Sequence, residues 1–167
     1  MTEPGALTAK RSSFQEWQER VAGTNISPTT LLATDYLNHF NEIIMMLGMV
    51  PDMPELLDDC REWQPKDYCA HFRDSGFSDR DLAVAAYEHV PDRYRKPFEE
   101  TIAQMNAVVA AAIDIVDEAI AGGDAAVIGE KARTAVNILQ RLQDYASAII
   151  HGSQHAMKQE EIDSLLR

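Results

Sequence analysis

Asp35, His39 and Glu42 stand four and three residues apart, so on a helix all three side chains share one side. Imidazole and carboxylate groups suit zinc or iron, and helical bundles often present such ligands inward from facing helices. His151 and His155 are four apart, which again brings two imidazoles to one helical face. A divalent cation held by His39, His151 and His155, with Asp35 or Glu42 assisting, is therefore one expectation. For the first group the preferred reading is a half-exposed polar flank one residue off an apolar stripe. For the second the preferred reading is a helix end whose imidazoles favour the negative pole of the dipole. Cys60 and Cys69 lie nine apart, outside metal-ligand spacing, and make a poor disulfide framework, so both are read as reduced thiols. With no Gly-rich phosphate loop, no Ser elbow and no HExxH string, an enzyme is the lesser expectation.

Residues 157–167 pose a different problem. Ile162, Leu165 and Leu166 make a small apolar face on an otherwise charged stretch that includes Asp163, and a helix this short is marginal alone. It needs a surface, either its own bundle, a second subunit or another protein. The string QEEIDSLL, Gln159 to Leu166, resembles the peptide at the start of the flagellar switch protein FliM and, more loosely, the tail of the CheZ phosphatases. Both dock on a phosphorylated response regulator, and CheZ carries a long helical hairpin ahead of its tail. The resemblance implies that a receiver domain is the partner, with Ile162, Asp163, Leu165 and Leu166 as the binding residues. The CheZ catalytic pattern, an Asp followed four residues later by Gln, is not matched, because Asp144 is followed at that distance by Ala148. A second resemblance is to the DinB-like metal-binding bundles, which use one His on an early helix and an HxxxH pair on the last. His39, His151 and His155 are the matching residues, with Gln159 where that family often has a polar group. The Arg-Gly that commonly follows the second His is replaced by Ala156-Met157. Ferritin-like di-iron sites need ExxH pairs, and His39 to Glu42 runs in the reverse order.

Helical periodicity supplies the frame for these groups. Residues 1–12 read as a mobile leader, and 13–22 as a short helix closed by Gly23. Ser27-Pro28 is a helix start, and Leu32, Tyr36, Phe40, Ile43, Leu47 and Val50 then keep to one stripe until Pro51 stops the helix. Pro54 opens a short helix through Cys60, and the stretch to residue 77 is expected to be packed but irregular. A further helix runs from about Ser78 to Val90. After Pro97, Phe98, Ile102, Met105, Val109, Ile113, Val116 and Ile120 hold a three/four alternation. Gly122-Gly123 break it and Asp124 caps the next helix, whose stripe is Ile128, Ala132, Ala135, Leu139, Leu142, Ala146 and Ile149. A tight turn between two such helices makes an antiparallel hairpin. Trp17 and Trp63, with Tyr68, Phe72 and Tyr87, either cap a core or line a ligand pocket, and core is the preferred reading. His71 and His89 read as surface residues.

The fold expected is therefore an all-α, antiparallel helical bundle of about four main helices, near 28–50, 79–90, 97–121 and 124–153, with short additional helices. The domain spans 13–156, followed by the amphipathic segment 157–167. The Ala-rich hairpin seams point to a homodimer. The 27 acidic against 15 basic residues, a net charge of −12, repel phosphate backbones and anionic lipid, so neither nucleic acid nor membrane is an expected partner. No apolar run approaches the length of a membrane span, and residues 1–10 lack a signal-peptide core. The expectation is a cytoplasmic regulatory or adaptor protein that binds another protein, with the metal-binding bundle as the alternative.

Overall fold

The structure, a computed structural model, describes residues 5–167, with side chains described from residue 13 onward. Among the described residues there are eight α-helices and no strand, so the protein is all-α. No helix among them is long and apolar enough to cross a membrane.

Two long helices form the frame. α6 spans Asp92–Gly122 and α7 spans Ala125–Ile150, joined through Gly123 at φ 75°, a backbone angle that glycine tolerates without a Cβ penalty. The Asp124 side chain accepts a hydrogen bond from the Ala126 amide at 2.9 Å, which is the cap expected there. At 31 and 26 residues these helices are about 46 and 39 Å long. Six of the seven residues on the α7 stripe, from Ala132 to Ile149, are buried, while Ile128 near the tip is partly exposed. Pro97 lies inside α6 and does not start it, because Pro91 already occupies the N-cap and its carbonyl accepts from both Tyr94 and Arg95 amides at 2.9 Å.

The chain ahead of the hairpin differs from expectation in its backbone. α1 spans Gly5–Val21 and so begins eight residues before Ser13: helix formers such as Ala6, Leu7, Ala9 and Lys10 meet no breaker before Gly23. Part of the expected leader is thus helical, and residues 1–4 of it lie outside the described residues. Ser27-Pro28 does not open a helix. The segment folds back on itself, with the Ser27 amide donating to Leu32 O at 2.8 Å and the Leu31 amide to Ser27 O at 2.7 Å. This places Leu31 at φ 66°, a strain of about 1–2 kcal/mol for a residue with a Cβ. Full burial of Leu31 and Leu32, about 2 kcal/mol each, offsets it. Thr30 in that loop donates its hydroxyl to the Ile150 carbonyl, satisfying one of the open acceptors at the end of α7.

A 3-10 turn, Thr34–Leu37, leads into α2, Asn38–Met49. All six residues of the expected stripe are buried even though Leu32 is delivered by the loop and Tyr36 by the turn. The short helices α3, Leu56–Glu62, α4, Tyr68–Arg73, and α5, Arg80–Tyr87, follow. α4 stands inside the stretch expected to be irregular, started by Asp67, whose carboxylate accepts from the Ala70 amide at 2.7 Å. α5 packs chiefly on α4. α2 lies against α7, and the last helix, α8, Gln159–Leu166, lies against α7 as well. One continuous core runs from Val21 to Ile162 and includes Met157, so the tail belongs to the same packed body. Ala112, Ala132, Ala135 and Ala146 on the hairpin are all buried within the single chain.

Candidate functional site

Two features qualify as candidate sites: the docked C-terminal helix and the histidine-bearing face where α2 meets α3 and α4. After Ile150 the helix closes with the His151 amide bonded to Ser147 O, Gly152 to Ile149 O and Ser153 to Ala148 O. Gly152 takes φ 118°, and a Cβ there would stand 3.3 Å from Thr29 Cγ2, so the connector turns where only glycine fits without strain. The chain then returns along the hairpin. Met157 is buried, and its carbonyl accepts from Gln104 Nε2 at 2.9 Å. In α8, Ile162 is buried, Leu166 is half-buried and lines a cleft with Ile115, Ala119 and Lys131, and Leu165 sits half exposed on a cleft that Thr134 and Ile138 also line. Glu161 pairs with Arg141 at 2.9 Å, and Asp163, on the outer face, accepts from Gln159 Nε2 at 2.9 Å. The four expected partner-binding residues thus lie on one short helix, but Ile162 is spent on the protein's own groove.

The metal-ligand set is not assembled. Among the described residues no three His, Cys, Asp or Glu side chains converge so as to hold an ion. His39, at the start of α2, is stacked on Trp63 with ring centres 4.7 Å apart, and its Nε2 accepts the Lys66 backbone amide at 3.0 Å. That bond uses a lone pair a metal would need. Burial first, then the neighbouring His71 and Lys66, push the His39 imidazole down to about 4, so the ring is neutral at pH 7. His151 and His155 are exposed at the far end of α7 and in the connector; His151 Nδ1 lies 2.8 Å from Ser147 O. Asp35 stands in the 3-10 turn ahead of α2, and its Oδ2 is buried with no hydrogen-bond partner among the described residues, whereas His39 and Glu42 line one groove. Glu42 remains exposed on α2. The helix begins only at Asn38, three residues after Asp35, so the spacing argument applies to His39 and Glu42 alone.

His71 is half buried, against expectation, with its ring 5.5 Å from Tyr36 and 5.8 Å from His39; burial lowers its pKa, partly opposed by a hydrogen bond to the Asp35 backbone. His89 is exposed, stacked on Trp17 at 4.5 Å. Both thiols are free; burial chiefly pushes Cys60 up to about 11 and also raises Cys69, so at pH 7 neither is the thiolate that nucleophilic chemistry requires.

Of the aromatic residues expected to cap the core, Tyr68 and Phe72 are buried, while Trp17, Trp63 and Tyr87 are half-buried. Tyr36, Tyr68, Phe72 and Phe98 are buried, and the Tyr68 hydroxyl accepts from the Ala33 amide at 2.9 Å while the Tyr36 hydroxyl donates to Lys66 O. Desolvation raises both phenol pKa values. The edges of Tyr36, Tyr68 and Tyr87 also wall a shallow cleft of about 300 Å³, with Glu99 held at its rim by the Tyr87 hydroxyl at 2.8 Å. A second groove, of about 530 Å³, runs between α2 and α3 over Trp63 and Met46. The aromatic cluster was visible as composition, but its hydroxyl-to-backbone bonds join residues about thirty positions apart and carry no local signal. Comparison with protein-family models, curated proteins and solved structures found no match for the chain.

Proposed function

We propose that this protein is a non-enzymatic regulatory or adaptor bundle that engages a protein partner through α8, and that the partner is a receiver domain of a response regulator, the class that QEEIDSLL resembles. The observation that carries this reading is how lightly α8 is held. One fully buried side chain, Ile162, contributes about 2 kcal/mol. The Arg141–Glu161 pair, with both side chains more than 40% exposed, contributes less than about 1 kcal/mol. A non-helical connector separates α8 from α7, so the helix can leave the groove without disturbing the hairpin. Released, it presents Ile162, Leu165 and Leu166 as apolar anchors for docking into a groove on the partner, with Asp163 beside them. The closed position then acts as a competitor that lowers apparent affinity by the fraction of time α8 is docked.

The test is the affinity of the full chain for a chemotaxis receiver domain, with and without beryllofluoride as the phosphoryl mimic. Leu165→Glu, at a position already 36% exposed, leaves the fold intact and is expected to weaken binding at least tenfold, about 1.4 kcal/mol. Removal of 157–167 is expected to abolish it. Unchanged affinity in both variants removes the proposal. His39, whose Nε2 is already bonded, gives the metal-binding alternative no footing in this conformation.

A further inference from the structure

Five large apolar side chains stand out from the described surface, and three of them are methionines on one line: Met45 at 59% exposure, Met49 at 42% and Met53 at 40%. They recur at four-residue steps, and the Met53 amide donates to the Met49 carbonyl at 3.0 Å, so the helical path continues one turn past the end of α2. The stripe therefore lies on the face of α2 opposite Phe40, Ile43 and Leu47, and among the described residues it stays exposed. Beside it opens the groove of about 530 Å³, with Met46 and Trp63 among its lining residues and Glu42, Asp59 and Glu62 at its walls. Trp63 is held in place by its stack on His39 and by donation of its indole N–H to the His39 carbonyl at 3.3 Å.

The charge around this surface is predominantly negative. From Asn38 to Glu62 the chain carries Glu42, Asp52, Glu55, Asp58, Asp59 and Glu62 against Arg61 alone, and all six carboxylates are exposed. Arg61 is already bonded to Asp58 and Asp117 at 3.0 Å each, and Lys66 at the groove end is paired with Asp74 at 3.0 Å. This field repels the chain's own acidic α8, with Glu160, Glu161 and Asp163, and a second copy of a chain of net charge −12. A flexible, polarizable methionine surface bordered by carboxylates fits an amphipathic helix whose apolar side packs on thioethers and whose lysines or arginines reach the rim. We infer that the α2–α3 face, Met45, Met46, Met49 and Met53 with Trp63 and its carboxylate rim, is a docking site for a basic amphipathic helix of a partner protein. This site is separate from α8 and stands whether or not α8 binds a receiver domain.

The chain has two tryptophans, so a Trp17→Phe background leaves Trp63 as the sole indole reporter on the groove. A synthetic sixteen-residue Leu/Lys amphipathic helix is titrated into the full-length protein, with a Leu/Glu helix of equal length as control. The expected result is a saturable blue shift of Trp63 emission for the Lys helix only. Met45→Gln with Met49→Gln, at exposed positions that the core does not use, is expected to weaken it about tenfold. Glu42→Gln with Asp59→Asn and Glu62→Gln is expected to weaken it by a similar factor and to flatten its salt dependence. No saturation up to about 1 mM, equal binding of the Leu/Glu helix, or Lys-helix binding indifferent to the methionine pair overturns the inference. A dimer at working concentration that the Met45→Gln, Met49→Gln chain no longer forms overturns it too, since the stripe would then be occupied by a second copy.

Discussion

In α7 one unbroken helix of 26 residues sets Ala132, Ala135, Leu139, Leu142, Ala146 and Ile149 into the core along a single stripe, whereas from Ser27 to Pro91 the core is supplied by a folded-back loop, a 3-10 turn and four short helices. The first region is held by repetition: small residues let α6 approach, and each turn adds similar contacts. The second depends on particular bonds between distant residues, such as Tyr68 to Ala33, Tyr36 to Lys66 and His39 to Lys66. The difference explains where the candidate interaction surfaces lie. Both the methionine face and the docked α8 belong to short elements laid over the hairpin.

Truncating the repetitive region is expected to have the largest effect. Leu139→Ala removes a fully buried side chain from α7 and is expected to lower unfolding free energy by about 3 kcal/mol in urea titrations, with all probes falling together. Tyr68→Phe, in the bond-dependent region, leaves the buried Ala33 amide without its acceptor, and a loss of about 1–3 kcal/mol is expected. Its signature is local: hydrogen exchange accelerates in the loop at Leu31–Ala33 more than in α7.

A third contrast is in pH dependence. Because burial pushes His39 down to about 4 from its ordinary 6.5, the unfolded chain binds the proton more readily than the native one between those values. Its contribution to stability is thus present above pH 6.5 and is lost as pH falls toward 4. The urea midpoint of the native chain is expected to drop more between pH 7 and pH 5 than that of His39→Gln. Equal slopes would show that the Lys66 amide does not hold the neutral ring in solution. The smallest effect is expected from Arg141→Gln, which removes a half-exposed ion pair and lowers global stability by less than about 1 kcal/mol, while raising exchange in α8 severalfold.

The two regions also differ in how much of them could be read from residue order. The α7 stripe, the Asp124 cap, the Gly122-Gly123 break and the all-α class follow from local periodicity and capping chemistry, which act within a few residues. Leu32, Tyr36 and Phe40 were correctly assigned to the core on a helical path the chain does not fully take, because burial selects side chains while Thr30 and Ser27 redirect the backbone. The Asp35–His39–Glu42 grouping holds only in part for that same reason: the helix starts at Asn38, so Asp35 falls in the turn ahead of it while His39 and Glu42 stay on α2. The methionine face was not anticipated, although Met45, Met49 and Met53 recur at regular steps; the period marks a stripe but not which side of it faces water.

Hydrogen exchange followed residue by residue, on the free protein and in the presence of an activated receiver domain, tests the release of α8 most directly. Amides of Gln159–Leu166 should exchange far faster than those of α7 in the free chain, and with the receiver domain they should gain protection. Exchange of α8 at the same slow rate as α7, unaltered by the receiver domain, contradicts the proposal that this helix is a detachable partner-binding element.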